Sequence, residues 1–268
     1  MKLGWLSDIH LNFLDKPGVR RFFRQLASCD VDGWLLGGDI GEAKSIAGYL
    51  RLFETELPCK TYFVLGNHDF YGGSLDEVQA EMRRLTRQSD RLVWLTESGP
   101  QVLDKGVVIV GDDGWADGRF GNALRTPVEL NDFFVIEELV GLSRRTLVQA
   151  LKRQGDEAAA RLAPKLAAAA AVSRHVVVVT HVPPFREAAW HEGRPSHDDW
   201  VPWFACKATG EAIMACARAC PRTNFIVLCG HTHGAGVHSP TANVTVHTAG
   251  AEYGAPGVQR VFEFEATV

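Results

Sequence analysis

The chain has 268 residues, of which 46% are apolar and 22% charged, and its formal net charge is -4 at pH 7. That length suits one large α/β domain or two small ones, and the apolar share is enough for a substantial core. The charge, spread along the chain, argues against a protein that coats long nucleic acid, though not against a local positive pocket. No apolar run approaches the roughly 18 residues of a membrane span. The run at 3–6 is too short for a secretory signal, so a cytoplasmic location without membrane contact is expected. Six cysteines without a paired CxxC read as buried free thiols. A zinc site among Cys206, Cys216, Cys220 and Cys229 is the alternative.

In chain order, short apolar runs bounded by turn residues fall at 3–6, 33–36, 61–65, 107–110, 176–179 and 225–228. Each is nearly continuous in hydrophobicity, as strands buried on both faces are. Helical period fills 19–27, 46–56, 75–88 and 209–219, and Ser74 with Glu77 has capping-box spacing before the third. Strands alternating with helices predict an α/β sheet covered by helices. Residues 129–172 break the alternation, read as mostly helical and end in an alanine-rich run. With no Pro/Gly/Ser linker beside them, they are read as a helical insertion or a long crossover within a single domain spanning 1–268.

The chemistry follows the strands. After the run at 3–6 come Asp8 and His10; after 33–36, Gly38-Asp39; after 61–65, Gly66-Asn67-His68-Asp69. His181 follows the run at 176–179, and Gly230-His231-Thr232-His233 the run at 225–228. Sites in open α/β sheets form outside the carboxyl ends of strands, so these five loops are expected to converge. The pairs Asp8/His10 and His231/His233 have the spacing that puts both side chains on one side of an extended backbone. Glycines 38, 66 and 230 each precede a candidate ligand, where tight turns or close backbone approach are needed. Two aspartates, one asparagine and four histidines exceed what one four-coordinate metal takes up. They fit two divalent ions that share a carboxylate, a site that attracts phosphate.

These motifs, running in order from residue 8 to residue 233, resemble the five motifs of the calcineurin-like metallophosphoesterase superfamily. The resemblance implies a four-layer α/β/β/α sandwich of the metallophosphoesterase type, here with the helical insertion. It implies that Asp8, His10 and His233 hold one metal and Asn67, His181 and His231 the other, with Asp39 bridging. His68 takes the position of the non-ligand histidine beside the leaving group, a general acid, and Asp69 would orient and charge-support it. The implied reaction is in-line attack on phosphorus by a hydroxide activated between the two metals. Donors of oxygen and nitrogen without thiolate admit Zn, Co or Ni, with Mn or Fe the first choices.

Other residues carry plainer readings. His175, His238 and His247 are expected to be structural or solvent-facing. The loop with Arg186, Trp190, His191, His197, Trp200 and Trp203 is either a substrate rim, its aromatics stacking and Arg186 meeting phosphate, or an insertion packed over the fold. Asn12 and Tyr71 follow ligand motifs closely enough to reach the pocket. Asp112-Asp113-Gly114 reads first as turn chemistry and second as support for a ligand. The expected activity is a phosphatase or phosphodiesterase on a small organic phosphate or cyclic nucleotide. A nuclease is the alternative, which needs basic flanks that the charge balance does not show. A non-catalytic scaffold ranks below both, because no ligand position is missing.

Overall fold

A computed structural model describes residues 1–265 of the chain. Strands β1 (Lys2–Leu6), β2 (Gly33–Gly37), β3 (Lys60–Val64) and β4 (Leu92–Trp94) pair in parallel, in that order. Helices α1 (Lys16–Ala27), α2 (Ile46–Glu56) and α3 (Leu75–Arg87) make their crossovers. Strands β5 (Gln101–Val102) and β6 (Val107–Asp112) then open a second sheet. After α4 (Asp132–Val135) and α5 (Arg144–Val172), β7 (His175–Thr180) pairs in parallel with β6. A hairpin of β8 (Trp190–His191) and β9 (Arg194–Pro195), then α6 (Val201–Phe204) and α7 (Lys207–Ala219), lead to β10 (Asn224–Cys229). β11 (Gly236–Thr241) and β12 (Val244–Thr248) complete the second sheet, in the order β11-β12-β10-β7-β6-β5. β13 (Arg260–Glu263) returns to the first sheet, antiparallel to β1.

The two sheets pack face to face. Leu3, Trp5, Leu35, Tyr62 and Val64 of the first share one buried cluster with Val107, Ile109, Val177, Val179 and Leu228 of the second. The alternate residues face outward. Leu36 and Phe63 join Phe22, Phe53 and Met82 of α1–α3, while Val108, Val176 and Val178 join Leu162, Leu166 and Ile213 of α5 and α7. Both faces of the central strands are therefore covered, which is why they read as unbroken apolar runs. The architecture is the expected four-layer α/β/β/α sandwich.

Residues 129–172 lie within the connection between parallel strands β6 and β7, with α5 as the crossover helix. Ser143 caps α5 by accepting from the Thr146 N–H at 3.3 Å. Two cations one helical turn apart on α5 fasten it to the strands. Arg161 donates to both oxygens of Asp112 at 2.8 and 3.0 Å. Lys165 donates to the carbonyls of Leu95, Thr96 and Gly111 at 2.6, 2.7 and 3.0 Å. The capping expected at α3 is present, Ser74 accepting from the Glu77 N–H at 3.4 Å. Glu138 accepts from the Leu75 N–H at 2.8 Å, so the crossover also pins the start of α3. Among the described residues, no helix is long and apolar enough to cross a membrane.

Candidate metal centre

The loops after β1, β2 and β3 of one sheet and after β7 and β10 of the other meet at one end of the sandwich. Backbone hydrogen bonds carry the pairing past the strand ends. Asp8 and His10 donate to the carbonyls of Gly38 and Asp39 at 3.0 and 2.9 Å, and Gly230 donates to that of His181 at 2.8 Å. Seven non-glycine residues of the described chain have positive φ, and five of them are Asp8, His10, Asp39, His231 and His233. Such backbone is costly for most residues and is tolerated best by Asn, Asp and His. Local chemistry therefore suits the turns, and the turns aim the ligands. Glycine is needed where the loops touch. A Cβ on Gly66 would sit 2.1 Å from Asp39 Oδ1, and one on Gly230 would sit 1.9 Å from Asp8 Oδ2.

All seven sequence-predicted ligands converge, in two groups. In the first, one donor atom each of Asp8, His10, Asp39 and His233 lies within 4.8 Å of the others. His10 Nε2 and His233 Nε2 face each other at 3.1 Å, and each imidazole also faces a carboxylate, His10 toward Asp39 Oδ2 at 3.7 Å and His233 toward Asp8 Oδ1 at 3.5 Å. The second group closes around Asn67 Oδ1, with His181 Nε2 at 3.0 Å and His231 Nδ1 at 2.8 Å. His181 Nε2 is also 3.4 Å from Asp39 Oδ1. Asp39 thus turns one oxygen to each group, the geometry a bridging carboxylate requires.

The second group contains a test of its own for a cation. A carbonyl oxygen only accepts, so His181 Nδ1, 2.8 Å from the Gly37 carbonyl, and His231 Nε2, 2.8 Å from that of Trp203, both carry the proton. In the neutral rings the opposite nitrogens are then bare lone pairs, and both point at Asn67 Oδ1, itself only an acceptor. Asn67 is held in that orientation because its Nδ2 donates to Asp132 Oδ1 at 2.8 Å. Three lone-pair atoms converging without a proton among them make a repulsive cluster unless a cation lies between them. Burial also holds the rings neutral, pushing His10 and His231 down to about 3 each. Burial, with Asp8 and Asp69 nearby, pushes Asp39 above the usual carboxylate range. Neutral imidazoles and a carboxylate short of positive charge are what a divalent ion binds. The donor set fits two such ions.

His68 stands at the mouth. Its ring stacks on Tyr71 at 4.1 Å, lies 4.6 Å from that of His10, and its Nε2 is 4.0 Å from Asp39 Oδ2. The expectation that Asp69 orients His68 needs correction. Asp69 Oδ1 accepts from the Ile40 and Gly41 N–H groups at 2.8 and 2.9 Å, and Oδ2 accepts from that of Gly66 at 2.9 Å. Its carboxyl staples the Asp39 turn to the Asn67 turn, and its oxygens are taken before they reach the ring. Tyr71 does reach the site, as expected, and its hydroxyl donates to Asp132 Oδ1 at 2.6 Å. Asn12 turns away to Glu42.

The loop after β7 divides. His191 and Trp200 line the cleft beside the centre, whereas the Trp203 side chain is buried and contributes through its carbonyl. Arg186 pairs with Asp198 and His197 with Asp199, and neither lines that cleft. Asp113 supports backbone rather than a ligand side chain. Its Oδ1 accepts from the Leu65 N–H, Trp94 Nε1 and Thr96 Oγ1 at 2.6–2.8 Å, and its carbonyl accepts from His181 N at 3.1 Å. Three contributors escaped the sequence reading: Asp132, the Trp203 carbonyl, and Tyr253, whose ring lies 4.7 Å from His10 and 5.0 Å from His233. The cysteines are free thiols, and Cys229, one residue before Gly230, turns its sulfur toward Thr248 at 3.4 Å.

Comparison with known proteins agrees with this geometry. A phosphopantetheinyl hydrolase from Mycobacterium tuberculosis has a similar structure, with TM-score 0.67 and 17% identity over 93% of this chain and 89% of that one. A dimetal phosphatase from Danio rerio is similar at TM-score 0.57 and 16% identity, over 93% and 87%. No curated protein matches the sequence. The family model of the calcineurin-like phosphoesterases matches residues 1–235, a span that holds every candidate ligand described above. The chain therefore belongs to the calcineurin-like phosphoesterases, and it is a binuclear, metal-dependent hydrolase of phosphoric esters.

Proposed function

We propose that the chain hydrolyses a small organic phosphate ester or a cyclic nucleotide by in-line displacement at phosphorus. Asp8, His10 and His233 would hold one divalent ion and Asn67, His181 and His231 the other, with Asp39 placed to serve both. Such a pair would supply Lewis acidity and a nucleophile near neutral pH. The residues do the rest. Asn67 keeps Oδ1 facing inward because Asp132 takes its Nδ2, and His181 and His231 keep fixed tautomers through the carbonyls of Gly37 and Trp203. His68, the ring stacked at the mouth, is placed to protonate or steady the departing oxygen. Nitrogen and oxygen donors without thiolate admit Zn, Co or Ni as well as Mn or Fe, of which we propose Mn or Fe. Six free thiols suit a reducing compartment, and we place the reaction in the cytoplasm.

The observation that carries this reading is the inward convergence of lone pairs on Asn67 Oδ1, with both histidine tautomers set by backbone carbonyls. The deciding experiment strips the metals, restores Mn²⁺ and follows p-nitrophenyl phosphate and bis-p-nitrophenyl phosphate in parallel. Metal-dependent turnover is expected, with the preferred ester separating phosphatase from phosphodiesterase. Equal turnover by the stripped protein would overturn the proposal.

A further inference from the structure

We infer that the centre serves esters of a single phosphate on a flat organic group without further negative charge, and that Tyr253 and Trp200 select that group. The inference rests on the hydrolase reading above and narrows its substrate class.

Two cavities flank the centre. One, of about 300 Å³, opens over Asn67, His68, His231 and His233; the other, of about 480 Å³, lies against Asp8 and His233 under residues 250–259. Among the described residues, no lysine or arginine lines either. Their charged lining residues beyond the ligands are Glu129 and Asp132 in the first and Glu252 in the second. Asp132 is committed to Asn67 and Tyr71, and Glu129 pairs with Arg144 at 3.1 Å. Proteins hold phosphates with arginine, lysine or helix N-termini. Here one phosphate has the metal centre, and a second would find no lysine or arginine among the described lining residues and would face Glu129 or Glu252. Basic side chains are plentiful elsewhere. Arg20, Arg21 and Arg24, which form no ion pair among the described residues, line a groove on α1 and α2 that shares no residue with either cavity.

What the first cavity does offer is aromatic surface, from Tyr71, Trp200, Phe204 and Tyr253. Tyr253 is 48% exposed although its ring meets His10, His233 and Phe13, the last at 4.5 Å. The loop that carries it is closed at its base, where Gln259 Nε2 donates to the Gly250 carbonyl at 2.7 Å and Gly250 N donates to Gln259 Oε1 at 3.2 Å. That closure holds the ring over the centre. Across the cleft, Trp200 stacks on Phe204 at 5.2 Å, and the Phe204 ring meets that of His231 at 5.5 Å. Rings on both sides of the metal ligands suit a flat group, which they contact over a large area at small entropic cost. Tyr253 lies beyond residue 235, where the family match ends, so it adds to the shared ligand set rather than repeating it.

The test compares substrates that differ in one feature, with Mn²⁺-restored enzyme. Thymidine 5′-(p-nitrophenyl phosphate) is set against the same ester carrying a 3′-phosphate, and adenosine 5′-monophosphate against adenosine 3′,5′-bisphosphate, so that diester and monoester activities are both covered. In the pair the enzyme hydrolyses, the extra phosphate is expected to lower kcat/KM at least about tenfold, the like-charge effect near a carboxylate-lined wall. The second comparison is bis-p-nitrophenyl phosphate against methyl p-nitrophenyl phosphate for a diesterase, or phenyl phosphate against glycerol phosphate for a monoesterase. Tyr253→Ala and Trp200→Ala are each expected to lower the flat-to-aliphatic ratio of kcat/KM by roughly fivefold or more, the scale of one aromatic stack. The ratio is the readout, so a general loss of rate does not imitate it. Equal or faster turnover of the doubly phosphorylated esters, or an unmoved ratio in both variants, would overturn this inference and leave the hydrolase reading standing. Metal-independent or absent turnover of every ester would remove that reading, and the inference with it.

Discussion

The two halves of the centre are built to different standards of rigidity. Around Asn67, every ligand has a second anchor. Asn67 is tied to Asp132, His181 to the Gly37 carbonyl and His231 to the Trp203 carbonyl. Around His10, the anchoring is thinner. His10 Nδ1 is buried with no hydrogen-bond partner among the described residues, and the His233 side chain is 23% exposed under the Tyr253 ring. Outer hydrogen bonds fix ring orientation and raise ligand basicity. One half is wired throughout by backbone carbonyls and a buried acid, while in the other only Asp8 is so held, by Ser7 Oγ at 2.6 Å and the His231 N–H at 2.8 Å, and the two histidines rely on packing against aromatic rings. Metal affinity should follow the wiring, tighter at Asn67 than at His10.

Asp39 should produce the largest effect because it faces both halves. Asp39→Ala is expected to empty both sites and to lower turnover by at least about 10²–10³-fold, as loss of a central electrostatic element does. Metal analysis on the purified variant reads the stoichiometry. Retention of one tightly bound ion would show that Asp39 does not bridge.

A smaller and more selective loss is expected at Asp132. Its Oδ1 accepts from both Asn67 and Tyr71, so Asp132→Ala, which removes that oxygen, leaves the Asn67 amide free to flip. Affinity at the Asn67 half should fall about 10–100-fold, the usual cost of removing a partner of a metal ligand, while the His10 half keeps its ion. Titration with Mn²⁺ separates the two. Equal weakening of both halves would mean that Asp132 acts through the fold and not through Asn67. Smaller still is the contrast in the unaltered protein, where a chelator should remove the ions in two phases. Tyr253→Ala should quicken only the first phase, since that ring packs on His10 and His233. A single phase with one ion per half lost together would abolish the distinction.

Much of this was legible from residue order. The seven candidate ligands and His68 each follow an apolar strand, and a side chain placed by a strand end carries its position in the sequence. The four-layer division was not visible in the runs themselves. Strands buried on both faces have no period of two, so residues 3–6 and 176–179 look alike although they lie in different sheets. That expectation came from the resemblance. β12 escaped notice for the opposite reason, since burial alternates along Val244–Thr248 and leaves no continuous run. Asp132 sits in a segment without strand context and acts across 65 residues of chain, Trp203 acts through its carbonyl, and Tyr253 reaches the centre from a glycine-rich loop. None of these has a side-chain pattern to read.

Asp69 separates what a motif predicts from what its geometry performs. If it charged His68, Asp69→Asn would mimic a weakened His68→Ala, slowing turnover most for poor leaving groups and leaving stability alone. The structure gives it three backbone N–H donors instead, two on the Asp39 turn and one on the Asn67 turn. An asparagine satisfies only one side of that staple, because its Nδ2 would meet an N–H with another donor. The cost expected is that of one or two buried groups left unpaired, about 1–3 kcal/mol, with a fall in Tm of a few degrees for a chain of this size. Both halves of the centre should weaken together and slightly, since the staple joins the shared Asp39 to Asn67. The dependence of kcat on leaving-group pKa should stay that of the unaltered enzyme, whereas His68→Ala should steepen it. A steepened dependence in Asp69→Asn at unchanged Tm would return Asp69 to the catalytic role that the motif suggested.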